Sequence, residues 1–105
     1  KGGGANSLAY GIAKAGVECL TKQLARDLAP QKVLVNCIAP GFIETKFHTN
    51  QMKRSKADLE SRKKLVPLGR AAKPEELTKF IAFLISEDNS FTTGQIIRID
   101  GGDFI

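Results

Sequence analysis

Two cysteines, one histidine and no long apolar run set the first limits on this chain of 105 residues. Cys19 and Cys37 stand in separate segments, without C-x-x-C spacing or a neighbouring histidine. That excludes a zinc knuckle or a dithiol redox motif, and leaves two reduced, packed thiols in a cytoplasmic protein. His48, the single histidine, has no ligand cluster around it, so it reads as a loop residue and no metal site is expected. No apolar stretch reaches the roughly 18–20 residues that cross a bilayer, and no signal peptide opens the sequence. A membrane partner is therefore not expected. Internal repeats and low-complexity tracts are absent as well.

Acidic residues are in deficit, 11 against 16 basic, and the deficit is local. Residues 46–64 hold seven basic side chains and two acidic ones, which accounts for the whole net charge of +5. The segment carries one aromatic, Phe47, and no known nucleic-acid-binding motif, so a nucleic-acid partner is not expected. An apolar content of 42% and a charged content of 26% are those of a folded globular chain. The length suffices for one small domain and not for two.

Along the chain, residues 7–29 carry a helical pattern. Leu8, Ile12, Gly16, Leu20, Leu24 and Leu28 form an i,i+4 row expected to lie on a core. Ser7 or Asn6 can cap its start, and Pro30 follows its end. Tyr10 and Lys14 lie about 200° around the axis, on a face shared with Val17 and Thr21. Little charge falls on either face, so the helix is expected to be covered on two sides. VLVNCIA at 33–39 reads as a buried parallel strand, closed by Pro40 and Gly41. Weak helical signals run between Glu44 and Leu65. Pro74 opens a second clear helix with Glu75 and Glu76 in its first turn and Leu77, Phe80, Ile81, Leu84 and Ile85 on its apolar face. GQIIRID at 94–100 reads as a final strand, ended by Gly101 and Gly102.

A strand, a crossover helix and a second strand make a βαβ unit of an α/β sheet, and two strands alone are too few for a free-standing one. The expected fold class is accordingly the carboxyl-terminal half of a doubly wound parallel-sheet domain. Residues 1–105 would form one part of a single domain whose amino-terminal half lies outside the chain, and the opening at Lys1 suits that expectation.

AYGIAKAG at 9–16 bears the most reactive chemistry. A phenol, with an ordinary pKa of about 10, trades protons poorly at neutral pH. A positive charge 4–5 Å away favours a phenolate by about 3–4 kcal/mol at an effective dielectric near 20. Positions i and i+4 allow such a separation, so Tyr10 with Lys14 can serve as a tuned proton donor to a carbonyl oxygen. NCIAPGFIET at 36–45 adds a strand end whose glycine permits close backbone approach, in the crevice where open α/β sheets bind ligands.

Together with PLGRAAKPEEL at 67–77 and TGQIIRIDGG at 93–102, these motifs in this order resemble the short-chain dehydrogenase/reductase family. Among its members the chain is most similar to 3-oxoacyl-(acyl-carrier-protein) reductases, over essentially all of its length. The resemblance implies a Rossmann-type fold and hydride transfer between a carbonyl or alcohol and NAD or NADP, with NADPH slightly favoured. It implies that Tyr10 is the catalytic acid and that Lys14 holds the nicotinamide ribose and tunes the tyrosine. By the same resemblance Pro40 and Gly41 form the turn beside the nicotinamide. Ile43 would meet the carboxamide through its backbone, and Thr45 would place a hydroxyl near the carboxamide and phosphates.

The family's catalytic serine would fall ahead of Lys1, and Ser7, three residues before Tyr10, does not take its role. The glycine-rich fingerprint also lies upstream, and Ala13 stands where many relatives carry serine. The basic segment 46–64 coincides with the variable substrate loop and suits an acidic partner such as an acyl-carrier protein or coenzyme A. A homotetramer or homodimer is the implied assembly. Two other readings stand beside the reductase: an inactive truncated or oligomerisation piece of such an enzyme, and a carrier-protein docking module.

Overall fold

The structure, a computed structural model, describes residues 6–45 and 55–103. The elements run in the order α1 (Leu8–Leu28), a 3-10 turn (Ala29–Gln31), β1 (Cys37–Pro40), α2 (Lys56–Lys64), α3 (Pro74–Leu84) and β2 (Ile96–Ile99). Of the basic segment, Lys46, Phe47, His48, Lys53 and Arg54 lie outside the described residues, as does Gly2–Gly4.

The strands are parallel neighbours. The Cys37 N–H donates to the Gln95 carbonyl at 2.8 Å, and four residues further on the Gly41 N–H donates to the Ile99 carbonyl at 3.0 Å. Helices α2 and α3 make the crossover that a parallel pair requires. The α/β class expected from the sequence is the one observed.

Strand β1 is shorter than the apolar run that announced it. Residues 33–36 lie outside the strand, and side chains take over part of their pairing. Asn36 donates through Nδ2 to the Thr92 carbonyl at 2.7 Å and accepts from the Gln95 N–H at 3.1 Å. The Val35 N–H donates to Thr93 Oγ1 at 3.0 Å. An amide side chain thus does the work of a peptide group and interrupts the regular ladder.

The contacts cluster into two compact units. One comprises the chain up to Ile38 with Phe83–Ile97, and the other comprises Ala39–Ala82 with the chain from Arg98 onward.

In the first unit, α1 reverses one expectation. The row Leu8, Ile12, Leu20 and Leu24 is exposed, with Leu8 78% and Ile12 64% accessible. The residues of α1 that are buried are Thr21 and Ala25. At 100° per residue they fall on the face that carries Tyr10, Lys14 and Val17. The Ala25 methyl lies 3.4 Å from where a side chain on Gly94 would begin, so it rests on the turn before β2. The i,i+4 row identified the more apolar face. Within this chain, however, the small residues pack, because backbone can approach only where side chains are short. Ser7 occupies the N-cap position without a side-chain cap bond. Cys19 is exposed, which corrects the expectation of two packed thiols, while Cys37 is half-buried.

In the second unit, Phe42, Val66 and Ala71 form a buried cluster with Leu59 against it. Helix α2 opens with a full capping box: Ser55 Oγ accepts from the Asp58 N–H at 3.1 Å, and the Ser55 N–H donates to Asp58 Oδ2 at 3.0 Å. Helix α3 has the matching half, with the Lys73 N–H donating to Glu76 Oε2 at 2.8 Å. No helix among the described residues is long and apolar enough to cross a membrane.

Candidate functional site

Tyr10, the single tyrosine, sits in the first turn of α1 with Lys14 one turn further on. The helix brings them together as their spacing requires. The Lys14 ammonium lies 5.3 Å from the centre of the Tyr10 ring, within the range of a cation–π contact. The cation is thus over the aromatic face rather than hydrogen-bonded to the hydroxyl. Tyr10 is 61% accessible and Lys14 is also exposed, so both polar ends face open space. Their face of the helix is the one that, three turns further on, packs through Thr21 and Ala25.

Pro40, Gly41, Ile43 and Thr45 follow one another at the end of β1. Pro40 is the last residue of the strand and is exposed; Gly41 and Ile43 are half-buried; Thr45 is exposed. Gly41 has a reason internal to the chain. A Cβ there would stand 2.5 Å from Asp100 Cα and 2.7 Å from Asp100 Cβ, inside any allowed contact. The close approach expected of this glycine is therefore, in the structure, an approach to the end of β2.

Beyond Gly41 the chain is held by Ala72. The Ala72 N–H donates to the Phe42 carbonyl at 2.9 Å and the Glu44 N–H donates to the Ala72 carbonyl at 2.8 Å, which makes a parallel bridge between Ile43 and Ala72. Tyr10 and Lys14 belong to the first unit, and Pro40, Gly41, Ile43 and Thr45 to the second.

Arg62, Asp103 and Arg70, none of them singled out in the sequence, make ion pairs in this second unit. The Arg62 guanidinium in the last turn of α2 lies 5.3 Å from the centre of the Phe42 ring and forms a two-pronged ion pair with Asp103. The signal was faint: one arginine among many cations, and an acid directly after Gly101 and Gly102. A second fork joins Arg70 to Glu76, with Nη1 to Oε2 at 2.7 Å and Nη2 to Oε1 at 2.8 Å. Those bonds, together with the Lys73 amide, hold the Glu76 carboxyl down to about pKa 2. A shallow notch opens between Phe42, Val66 and Ile99, with this Arg70–Glu76 pair at its edge.

A parallel βαβ crossover is the outline of an α/β domain, and comparison with known proteins identifies the family. The model of the family described as Enoyl-(Acyl carrier protein) reductase matches residues 1–103, and the chain belongs to the short-chain dehydrogenase/reductase family of oxidoreductases. It is 45% identical over 93 residues to the 3-oxoacyl-(acyl-carrier-protein) reductase FabG of Thermotoga maritima. That match takes in 89% of this chain and 37% of the relative. Among solved structures, YwfH, an NADPH-dependent reductase involved in bacilysin biosynthesis, superposes with a TM-score of 0.85 at 36% identity. That superposition covers 96% of this chain and 41% of YwfH. The RhlG/NADP active-site complex of Pseudomonas aeruginosa superposes with a TM-score of 0.85 at 31% identity, over all of this chain and 42% of the other. The chain thus spans about two fifths of the length of these relatives.

Proposed function

We propose that the chain supplies the carboxyl-terminal part of a single Rossmann-type domain in an NAD(P)-dependent reductase of carbonyl compounds, with 3-oxoacyl thioesters as the substrate class. The observation that carries this reading is Tyr10 and Lys14 in contact and accessible on α1. The names of the relatives add the substrate class, and the NADP complex and the NADPH-dependent reductase among the structural neighbours favour NADPH.

The residues present fit a dinucleotide by their donor chemistry. A phenol and an ammonium stand side by side for ribose hydroxyls, and Thr45 offers an exposed hydroxyl at the strand end. When bound, the reduced nicotinamide supplies a hydride to the carbonyl carbon. Tyr10 gives its hydroxyl proton to the carbonyl oxygen as charge develops there, and in the reverse direction accepts it from the alcohol. Lys14 holds its ammonium over the Tyr10 ring, on the same face of α1, where it can reach a ribose hydroxyl. Pro40 and Gly41 would shape the turn beside a bound nicotinamide, the Ile43 backbone would hold the carboxamide, and Thr45 would donate to the carboxamide or a phosphate.

The excess of cations in 46–64 favours a substrate carried on an acidic acyl-carrier protein or on coenzyme A. Homotetramer or homodimer assembly in the cytoplasm completes the reading. The exposed row Leu8, Ile12, Leu20 and Leu24 supports it, since such a surface is left for another part of the domain or another subunit to cover. The 105 residues alone would be inactive.

The test is Tyr10→Phe in the full-length protein. Carbonyl reduction should fall about 10²–10⁴-fold, while dinucleotide affinity changes little. Turnover that survives the change would remove Tyr10 from the role of acid.

A further inference from the structure

We infer that Arg62 is a positioning residue. It clamps Phe42 at the start of the turn 42–45 and so sets the geometry with which that turn would meet a nicotinamide. The inference deepens the dinucleotide reading above and rests on it for the identity of the ligand.

The clamp has three contacts. Arg62 Nη1 donates to Asp103 Oδ1 at 3.1 Å, and Nη2 donates to Asp103 Oδ2. The guanidinium plane also lies over the Phe42 ring. The pair bridges 41 residues of sequence, from the last turn of α2 to the turn that ends β2. By contrast, Lys63 pairs with Glu60 three residues away on the same helix, and Arg70 with Glu76 six residues away. Those pairs each close a short stretch of chain, so neither ties α2 to the end of β2. The Asp103 side chain is only 11% accessible and that of Arg62 32%, so this pair is shielded from solvent and its removal is felt.

Phe42 is where the clamp touches the proposed site. Its ring is buried with Val66 and Ala71, and its carbonyl accepts from Ala72. Ile43, the next residue, carries the bridge to Ala72. Ala72 therefore fixes the backbone of the turn and Arg62 fixes the Phe42 ring. Gly41, seated against Asp100, secures the start of the turn. A planar fork suits this place because it satisfies both carboxylate oxygens while its central carbon stands over the ring. An ammonium can do one or the other.

The experiment compares two ligands on the full-length protein. These are NADH or NADPH, whichever the wild type binds, and the matching ADP-ribose or its 2′-phosphate, which lacks the nicotinamide. Arg62→Gln and Asp103→Asn should each weaken the dinucleotide about 5–10-fold and the nicotinamide-free ligand less than twofold, about 1 kcal/mol of selective loss. Arg62→Lys should fall between, and Arg62→Asp with Asp103→Arg, which restores the ion pair but takes the guanidinium from position 62 beside Phe42, should recover only part of the affinity. Unchanged binding of both ligands, or an equal loss of both, would overturn the inference. Should Arg62→Gln fail to fold, Arg62→Lys and the exchanged pair make the same comparison. A wild type that binds neither ligand would instead refute the dinucleotide reading. Amide hydrogen exchange then decides the clamp: faster exchange at residues 42–45 but not in α3 supports it, and unaltered exchange overturns it.

Discussion

At the scale of single residues, Gly41 and Glu76 show how local chemistry commits this chain. Gly41 faces backbone atoms of Asp100 rather than a flexible side chain, so a methyl at that position cannot be accommodated by a rotamer change. Gly41→Ala should therefore push β1 and β2 apart at their ends and cost about 1–3 kcal/mol of stability in denaturant melts. A melt equal to wild type would mean that the strand end yields freely. Glu76 accepts from both arms of Arg70 and from the Lys73 N–H, and these bonds draw its pKa from 4.5 down to about 2. A carboxyl held below its unfolded value stabilises the fold above that value, and the contribution fades as pH falls through the folded one. The urea midpoints of wild type and Glu76→Gln should thus differ at neutral pH and converge between pH 4.5 and about pH 2. A gap that persists at the acid end would assign the effect to something other than ionisation.

At the scale of elements, most of the fold was legible because each helix and strand advertises itself locally. Helix α1 was bounded to within a residue by the pattern from Ser7 and the stop at Pro30. Pro74, Glu75 and Glu76 marked the start of α3. Helix α2 was only a weak signal, since its stability comes from the Ser55–Asp58 box rather than from an apolar stripe. Ser55→Ala should accordingly cost about 1 kcal/mol and loosen α2 before α3, as read by hydrogen exchange. What stayed hidden has a common cause. Asn36 replacing ladder bonds, Gly41 seated on Asp100 and Arg62 reaching Asp103 all join residues far apart in sequence, where no spacing rule operates. The apolar row of α1 was hidden differently: periodicity tells which residues share a face but not which face finds a partner in this chain. Of the candidate site, the Tyr10–Lys14 pairing was legible because one helix carries both.

At the scale of the whole molecule, the described residues bury few apolar side chains: Ala25, Phe42, Val66 and Ala71. Leu8, Ile12, Ile85 and Phe91 are each more than 60% accessible. A chain with so little buried surface gains little against its conformational entropy. The isolated 105 residues should melt without a cooperative transition by circular dichroism, whereas the full-length protein should melt sharply. A sharp, concentration-independent transition in the isolated chain would contradict the placement of these residues as part of a larger domain. Tyr10 and Lys14 are proposed to act as one unit in moving a proton, and a double-mutant cycle on kcat in the full-length protein measures that coupling. Lys14→Met should cut kcat severely when Tyr10 is present and by only a small factor in a Tyr10→Phe background. If the two losses simply multiply, the lysine and the tyrosine work independently and the proposed pairing is wrong.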